Sequence, residues 1–190
     1  MDYSVLNKTP DVAQAVVGHF IDANGNAVPQ GPNAPSPVAG PLTLRVTQAP
    51  AVSSGTAYVA GNVVGGLLTF AGMARAAGQG GVLQSALLRD KSGQNASYDL
   101  FLFDAAPTTP GDRTAVALSA ADLAKCVGVV SFAGQALGAA STMGVQTVGG
   151  LGLAFKLASG TTLYGILVTR GAPTYAGTAD VSVDLIVLPD

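Results

Sequence analysis

From residue 41 to the C-terminus the chain is a succession of short apolar runs cut by turn residues, and this rhythm limits the fold more than any other feature. Leu42-Thr43-Leu44-Arg45-Val46-Thr47 alternates apolar and polar with period two, the pattern of a half-buried strand. Residues 58–64, then Gly65-Gly66, then Leu67-Leu68-Thr69-Phe70 read as a hairpin around a glycine turn. Val82-Leu83-Gln84-Ser85-Ala86-Leu87-Leu88-Arg89 is a further strand, and Asp90-Lys91-Ser92-Gly93-Gln94-Asn95 is the turn that closes it. In Tyr98-Asp99-Leu100-Phe101-Leu102-Phe103-Asp104, Leu100 and Leu102 fall on one face and Phe101 and Phe103 on the other. That strand is expected to be central and covered on both sides. Strands are expected again at residues 127–132, 151–157, 161–169 and 181–188. In the last, Val181, Val183, Leu185 and Val187 alternate with Ser182, Asp184, Ile186 and Leu188. Eight to ten short strands in about 150 residues predict an all-β fold, a β-sandwich or jelly roll.

One short helix interrupts the pattern. Ser119-Ala120-Ala121-Asp122-Leu123-Ala124-Lys125 has a serine N-cap with an acid three residues later, a variant of the capping box. Lys125 is expected in the last turn, where a cation favours the helix dipole.

The first forty residues differ in kind. Residues 12–21 form an apolar patch, and Asp22-Ala23-Asn24-Gly25-Asn26 is a strong turn signal. Pro29-Gln30-Gly31-Pro32-Asn33-Ala34-Pro35-Ser36-Pro37 holds too much proline for a helix or a central strand. The expected organisation is an extended N-terminal arm with a Pro-rich linker over residues 1–40, then a β-sandwich domain over residues 41–190.

Composition supports this and narrows the function. The chain is 48% hydrophobic and 11% charged, against about 25% charged in typical soluble domains. All its acids are aspartates, and Lys, like Glu a good surface helix former, is scarce. A surface so poor in charge is expected to be covered by neighbours. The basic residues are scattered and form no nucleic-acid stripe. The N-terminal Met1-Asp2-Tyr3-Ser4 lacks the cationic region of a secretory leader. Residues 126–155 carry no charge, but glycines, glutamines, serine and threonines interrupt them. They read as two strands with a Gly-rich connection, not as a membrane span.

Residues that carry chemistry are few. His19 is the only histidine and lies in the expected arm, so no base is placed near a nucleophile, and no Gly-x-Ser-x-Gly elbow occurs. Cys126 is the only cysteine, which excludes an intrachain disulfide; its apolar setting predicts a buried small residue. Asp99 with Asp104, or Asp180 with Asp184, are carboxylates that a sheet can bring together as a hydrolase does. Asp90, Asp104 and Asp180 sit at strand ends, where turn roles are the ordinary reading, with a calcium site from these aspartates as the alternative. The glycines of residues 61–66 and 149–152 lack the Lys-Ser/Thr of a phosphate loop and read as turns and bulges. The expectation is therefore no enzyme, with no catalytic, cofactor-binding or metal-binding residues and no cofactor.

Several runs carry a family resemblance. They are Tyr58-Val59-Ala60-Gly61-Asn62-Val63-Val64-Gly65-Gly66, Gly81-Val82-Leu83-Gln84-Ser85, Asp90-Lys91-Ser92-Gly93-Gln94-Asn95 and Leu100-Phe101-Leu102-Phe103-Asp104. Gly152-Leu153-Ala154-Phe155-Lys156 and Leu163-Tyr164-Gly165-Ile166-Leu167-Val168-Thr169-Arg170-Gly171 complete the pattern. Together, over residues 55–190, the chain resembles the jelly-roll cement (capsid decoration) proteins of Bordetella-phage-like podoviruses. The resemblance implies a structural virion protein on the outer surface of a tailed-bacteriophage capsid. It implies a homo-oligomer, dimer or trimer, that bridges subunits of the major capsid protein in an HK97-fold shell, with no nucleic-acid or membrane partner. A tail or head-fibre subunit and a glycan-binding β-sandwich stay open as alternatives.

Overall fold

Interleaving of short strands between two layers organises the larger part of the molecule. The structure, a computed structural model, describes residues 19–21, 27–29, 43–134 and 143–190. The chain divides into two units, Met1–Gly40 and Pro41–Asp190. In the first, β1 (His19–Ile21) pairs antiparallel with β2 (Ala27–Pro29), Phe20 opposite Val28. The expected arm thus contains a small hairpin, flanking the Asp22–Asn26 turn signal. Its remaining residues, with the proline-rich stretch after Pro29, lie outside the described residues.

The second unit holds eight strands: β3 (Leu44–Gln48), β4 (Val63–Phe70), β5 (Gly80–Asp90), β6 (Tyr98–Phe103), β7 (Cys126–Phe132), β8 (Gly144–Lys156), β9 (Leu163–Thr169) and β10 (Val181–Pro189). They form two four-stranded sheets, β3-β10-β5-β8 and β4-β9-β6-β7, with every pairing antiparallel. Of strands consecutive in sequence only β6 and β7 pair directly; every other connection carries the chain across the sandwich. This order is that of a jelly roll, two Greek keys folded together. The expected all-β sandwich is borne out.

The hairpin expected around Gly65-Gly66 is not formed. Both glycines have left-handed φ, +72° and +80°, but they bulge a single strand, β4. Val63 pairs with Val168 and Leu67 with Ile166, so extra residues are taken up at the glycines. A Cβ on Gly65 would lie 2.2 Å from the Pro50 Cβ, so the bulge also admits the incoming chain. Tyr58, expected at the start of that hairpin, lies outside any strand with its ring buried.

Period-two alternation fills the space between the sheets. Val181, Val183, Leu185 and Val187 of β10 are fully buried and pack with Leu83, Leu88, Leu100, Leu102, Phe70 and Leu167. Each such side chain contributes about 1.5–3 kcal/mol by leaving water. As expected, β6 is central, between β9 and β7, and its other face is covered too. Phe103 joins Val63, Ile166 and Val168 in a second cluster, closed by Val116 and Leu118 from the β6–β7 connection.

That connection carries the helix α1 (Ala120–Leu123). Ser119 caps it: the Asp122 N–H donates to Ser119 Oγ at 3.0 Å, and the Ser119 N–H returns to Asp122 Oδ2 at 3.4 Å. Lys125 falls just past the last turn, where its ammonium donates to Ala106 O and Asp122 Oδ1.

Candidate functional site

The two outward faces of the sandwich are treated differently, and the difference locates the candidate surface. Over the sheet β4-β9-β6-β7 the β6–β7 connection lies down and stays. The Val63 N–H donates to Thr114 O at 2.8 Å, Arg113 N–H to Val63 O at 2.9 Å, and Val116 N–H to Gly61 O at 2.9 Å. Asp112 pins the same segment. Its carboxylate accepts from the Ser53 N–H (2.9 Å), Ser53 Oγ (2.6 Å), Tyr58 Oη (2.7 Å) and the Gly65 N–H (2.6 Å). Burial pulls the Asp112 carboxyl up, but those hydrogen bonds outweigh it and hold the group below the ordinary range.

Across the sandwich, the register puts Ser182, Asp184, Ile186 and Leu188 of β10 on the outward face of β3-β10-β5-β8. Beside them stand Arg45 and Thr47 of β3, Val82, Leu87 and Arg89 of β5, and Val145 and Thr147 of β8. Val82, Leu87, Val145, Ile186 and Leu188 are half-buried, and none packs into either apolar core. Among the described residues, no segment comparable to the β6–β7 connection closes over them.

At the centre of this face sits a locked ion cluster. Asp184 is fully buried. It accepts from Arg45 Nε (2.7 Å) and Nη2, from Thr47 Oγ1 (2.8 Å) and from Arg89 Nη1 (2.8 Å). Burial raises the Asp184 carboxyl, but the bonds from Thr47, Arg45 and Arg89 prevail and hold it below its usual range. The carboxylate stays ionised and the guanidiniums are engaged, so the face offers shape, apolar contact and fixed charge. It offers no proton to transfer near neutral pH.

Several other described aspartates are likewise engaged. Asp99 and Asp104 are an odd number of positions apart at opposite ends of β6 and do not form a pair; Asp99 accepts from Arg170 Nε at 2.6 Å. Asp180 lies about 13 Å along the strand from Asp184 at ordinary strand rise. It organises a turn instead, accepting from Ser92 Oγ and from the N–H groups of Ala176 (3.0 Å) and Gly177 (2.8 Å). Asp90 accepts from the Ser92 and Gln94 N–H groups at 2.8 and 2.9 Å, as expected of a turn aspartate. Beside it a cleft lined by Leu88, Asn95, Tyr98 and Gln146 encloses about 10 Å³, room for one water. Cys126 is half-buried, its thiol directed at Gly128 O at 3.6 Å, rather than fully buried as expected. His19 lies on β1, and its side chain is outside the described residues. Among the described residues no three His, Cys, Asp or Glu gather as metal ligands, and no helix is long and apolar enough to cross a membrane.

Sequence reasoning missed the Asp112 anchor, the Arg45–Asp184–Arg89 cluster and the buried tyrosines. Tyr98 and Tyr175 share a hydroxyl hydrogen bond of 2.8 Å, and Tyr58 meets Tyr175 edge-on at 5.3 Å. The one available signal was Asp184 itself, a charge at a position flanked by apolar residues.

These carboxylates set the acid response. Asp112, Asp180 and Asp184 are depressed, and Asp122 is lowered to about 2, chiefly by the Thr108 N–H. Each contributes stability that is present above the unfolded value of about 3.9 and lost as pH falls through the folded one. Asp90 is raised by burial and has the opposite slope, weakening the fold as pH rises past about 3.9. Four groups outweigh one, so denaturant unfolding followed from about pH 6 to pH 2 is expected to show a steady loss of stability below about pH 4. A flat profile there would show that these bonds are not held in solution.

No protein-family model, curated protein or solved structure matches the chain.

Proposed function

We propose that this protein is a structural component of a tailed-phage virion that decorates the capsid and stabilises it by bridging major capsid protein subunits. The observation that carries the reading is the outward face of β3-β10-β5-β8, over which no described segment closes. There half-buried Val82, Leu87, Ile186 and Leu188 flank an ion cluster in which one buried carboxylate holds two guanidiniums in place. Such a face gains apolar contact and presents one excess positive charge at a fixed position, which suits docking on another protein. Repetition over a lattice lets modest single contacts suffice. Bridging then adds binding energy that must be lost before the shell opens, a mass-action stabilisation.

The test is to add purified protein to undecorated HK97-fold shells and image them. Decoration over the whole head, with a raised temperature of shell opening, is the expected result. Leu87→Asp should lower occupancy without unfolding the domain, and removal of residues 1–40 should weaken attachment. Binding at a single vertex would favour a tail or fibre part, and no binding to any shell would overturn the proposal.

A further inference from the structure

Two four-stranded sheets have four edges, and each edge strand presents backbone N–H and C=O groups to whatever comes alongside. They are not equivalent. The outer edge of β4 is already occupied at Val63 and Gly65 by Thr114, Arg113 and Asp112. Strand β3 is five residues long and carries Arg45, whose side chain is 55% exposed. A short, charged edge is a blunted one. The two remaining edges, β7 and β8, lie on the same flank: a Cβ on Gly128 of β7 would lie 2.8 Å from the Leu153 side chain of β8.

Among the described residues this flank is little protected: its charged residue is Lys156 at the far end of β8. From Cys126 through Phe155 the sequence contains no charged residue and no proline. Strand β8 has thirteen residues, and among the described residues only β5 pairs with it. Thr147, Gly149, Gly150, Gly152 and Ala154 are exposed along it. One of the large exposed apolar side chains stands here as well, Met143 just ahead of β8 at 53%. The one irregularity is the register shift opposite Leu83 and Ser85, where Gly150 and Gly152 have φ of +66° and +56°. That bulge bends the strand and confines regular pairing to its first half, Gly144 to Gly149.

We infer that β8 pairs antiparallel with β8 of a second copy about a two-fold axis, joining two sheets into one of eight strands. A self-pairing edge must be complementary to itself, so any charge near the axis would meet its own kind. The absence of charge is what such an axis requires. A homotypic pair also uses up the edge, so association closes at two instead of running on into a fibre. The backbone bonds of residues 145–149, centred on Thr147, are supplemented by the exposed Met143 beside them, as a stable interface needs more than a strand. This pairing is a property of the domain in solution and does not depend on the capsid reading.

Sedimentation of the full chain tests it. A dimer is expected at micromolar concentration, with amides of residues 145–149 protected from hydrogen exchange and losing that protection on dilution. Thr147→Lys puts like charges opposite one another across the axis and should weaken the dimer at least about tenfold. The circular dichroism melt of the dissociated form reports whether the variant still folds. Leu44→Lys, on the opposite edge, should leave the dimer intact. A monomer at all concentrations overturns the inference, as does a dimer indifferent to Thr147→Lys or abolished by Leu44→Lys. A monomer that still decorates shells would sink this pairing alone and leave the proposed function standing.

Discussion

Asp184→Ala is expected to lower the unfolding free energy by about 3 kcal/mol, the cost of removing one partner from a buried ion pair. The carboxylate is wholly out of water and is held by four side-chain donors from Arg45, Thr47 and Arg89. Without it two guanidiniums face each other over an apolar sheet. The loss stays near the lower end of the range because Arg45 and Arg89 are 55% and 33% exposed and can turn to solvent. In a domain of this size about 3 kcal/mol is about 10 °C of melting temperature. Urea unfolding with an unchanged m-value should report it. Asp184→Asn keeps the shape but turns an amide N–H₂ toward donors, so most of the loss should persist. Replacing Arg45, Arg89 and Asp184 together by leucines should return stability to within about 1 kcal/mol of the parent, since a matched apolar cluster has no charge to desolvate. A loss below about 1 kcal/mol for Asp184→Ala would mean that the cluster behaves as an ordinary surface pair.

That cluster shows where sequence reading stops. Alternation alone grouped Val181, Val183, Leu185 and Val187 on one face of β10, because a strand's faces follow from parity. The capping box at Ser119 and Asp122 was equally plain, since its partners are three residues apart. Arg45, Arg89 and Asp184 come from three strands and meet only through the register of β10 with β3 and β5, which no local pattern encodes. Gly65-Gly66 was misread for a related reason. A hairpin turn and a bulge both call for left-handed glycines, and the choice lies with Pro50 and Val168, far away in the chain. Strand β8 begins at Gly144, ahead of the expected 151, because the bulge at Gly150 and Gly152 resembled a strand boundary. The candidate surface was legible in part. Its low charge and the apolar end of β10 were in the sequence. Which face the β6–β7 connection would cover was not.

The second large effect is expected at Asp112, in the turn between Gly111 and Arg113. Asp112→Ala should cost about 3 kcal/mol. Charge-assisted hydrogen bonds contribute about 1.5–3 kcal/mol each, and the four here share donors close enough together that their losses overlap. Tyr58 keeps one partner, because its oxygen also accepts from the Ser53 N–H at 2.9 Å. The Gly65 N–H, inside the β4 bulge, loses its carboxylate acceptor. The consequence extends beyond the hydrogen bonds, because Asp112 holds the connection whose Val116 and Leu118 cover Val63, Phe103, Ile166 and Val168. Loosening it opens the second apolar cluster while the space between the sheets stays packed. Hydrogen exchange should therefore quicken at Val63, Arg113 and Val116 well before it changes at Leu100 or Leu185, the mark of a subglobal opening. Asp112→Asn retains one acceptor oxygen and should fall between parent and alanine variant. If Asp112→Ala unfolds in one step with uniform exchange, the connection is integral to the main core. If it loses under about 1 kcal/mol with exchange unchanged, the carboxylate anchors nothing.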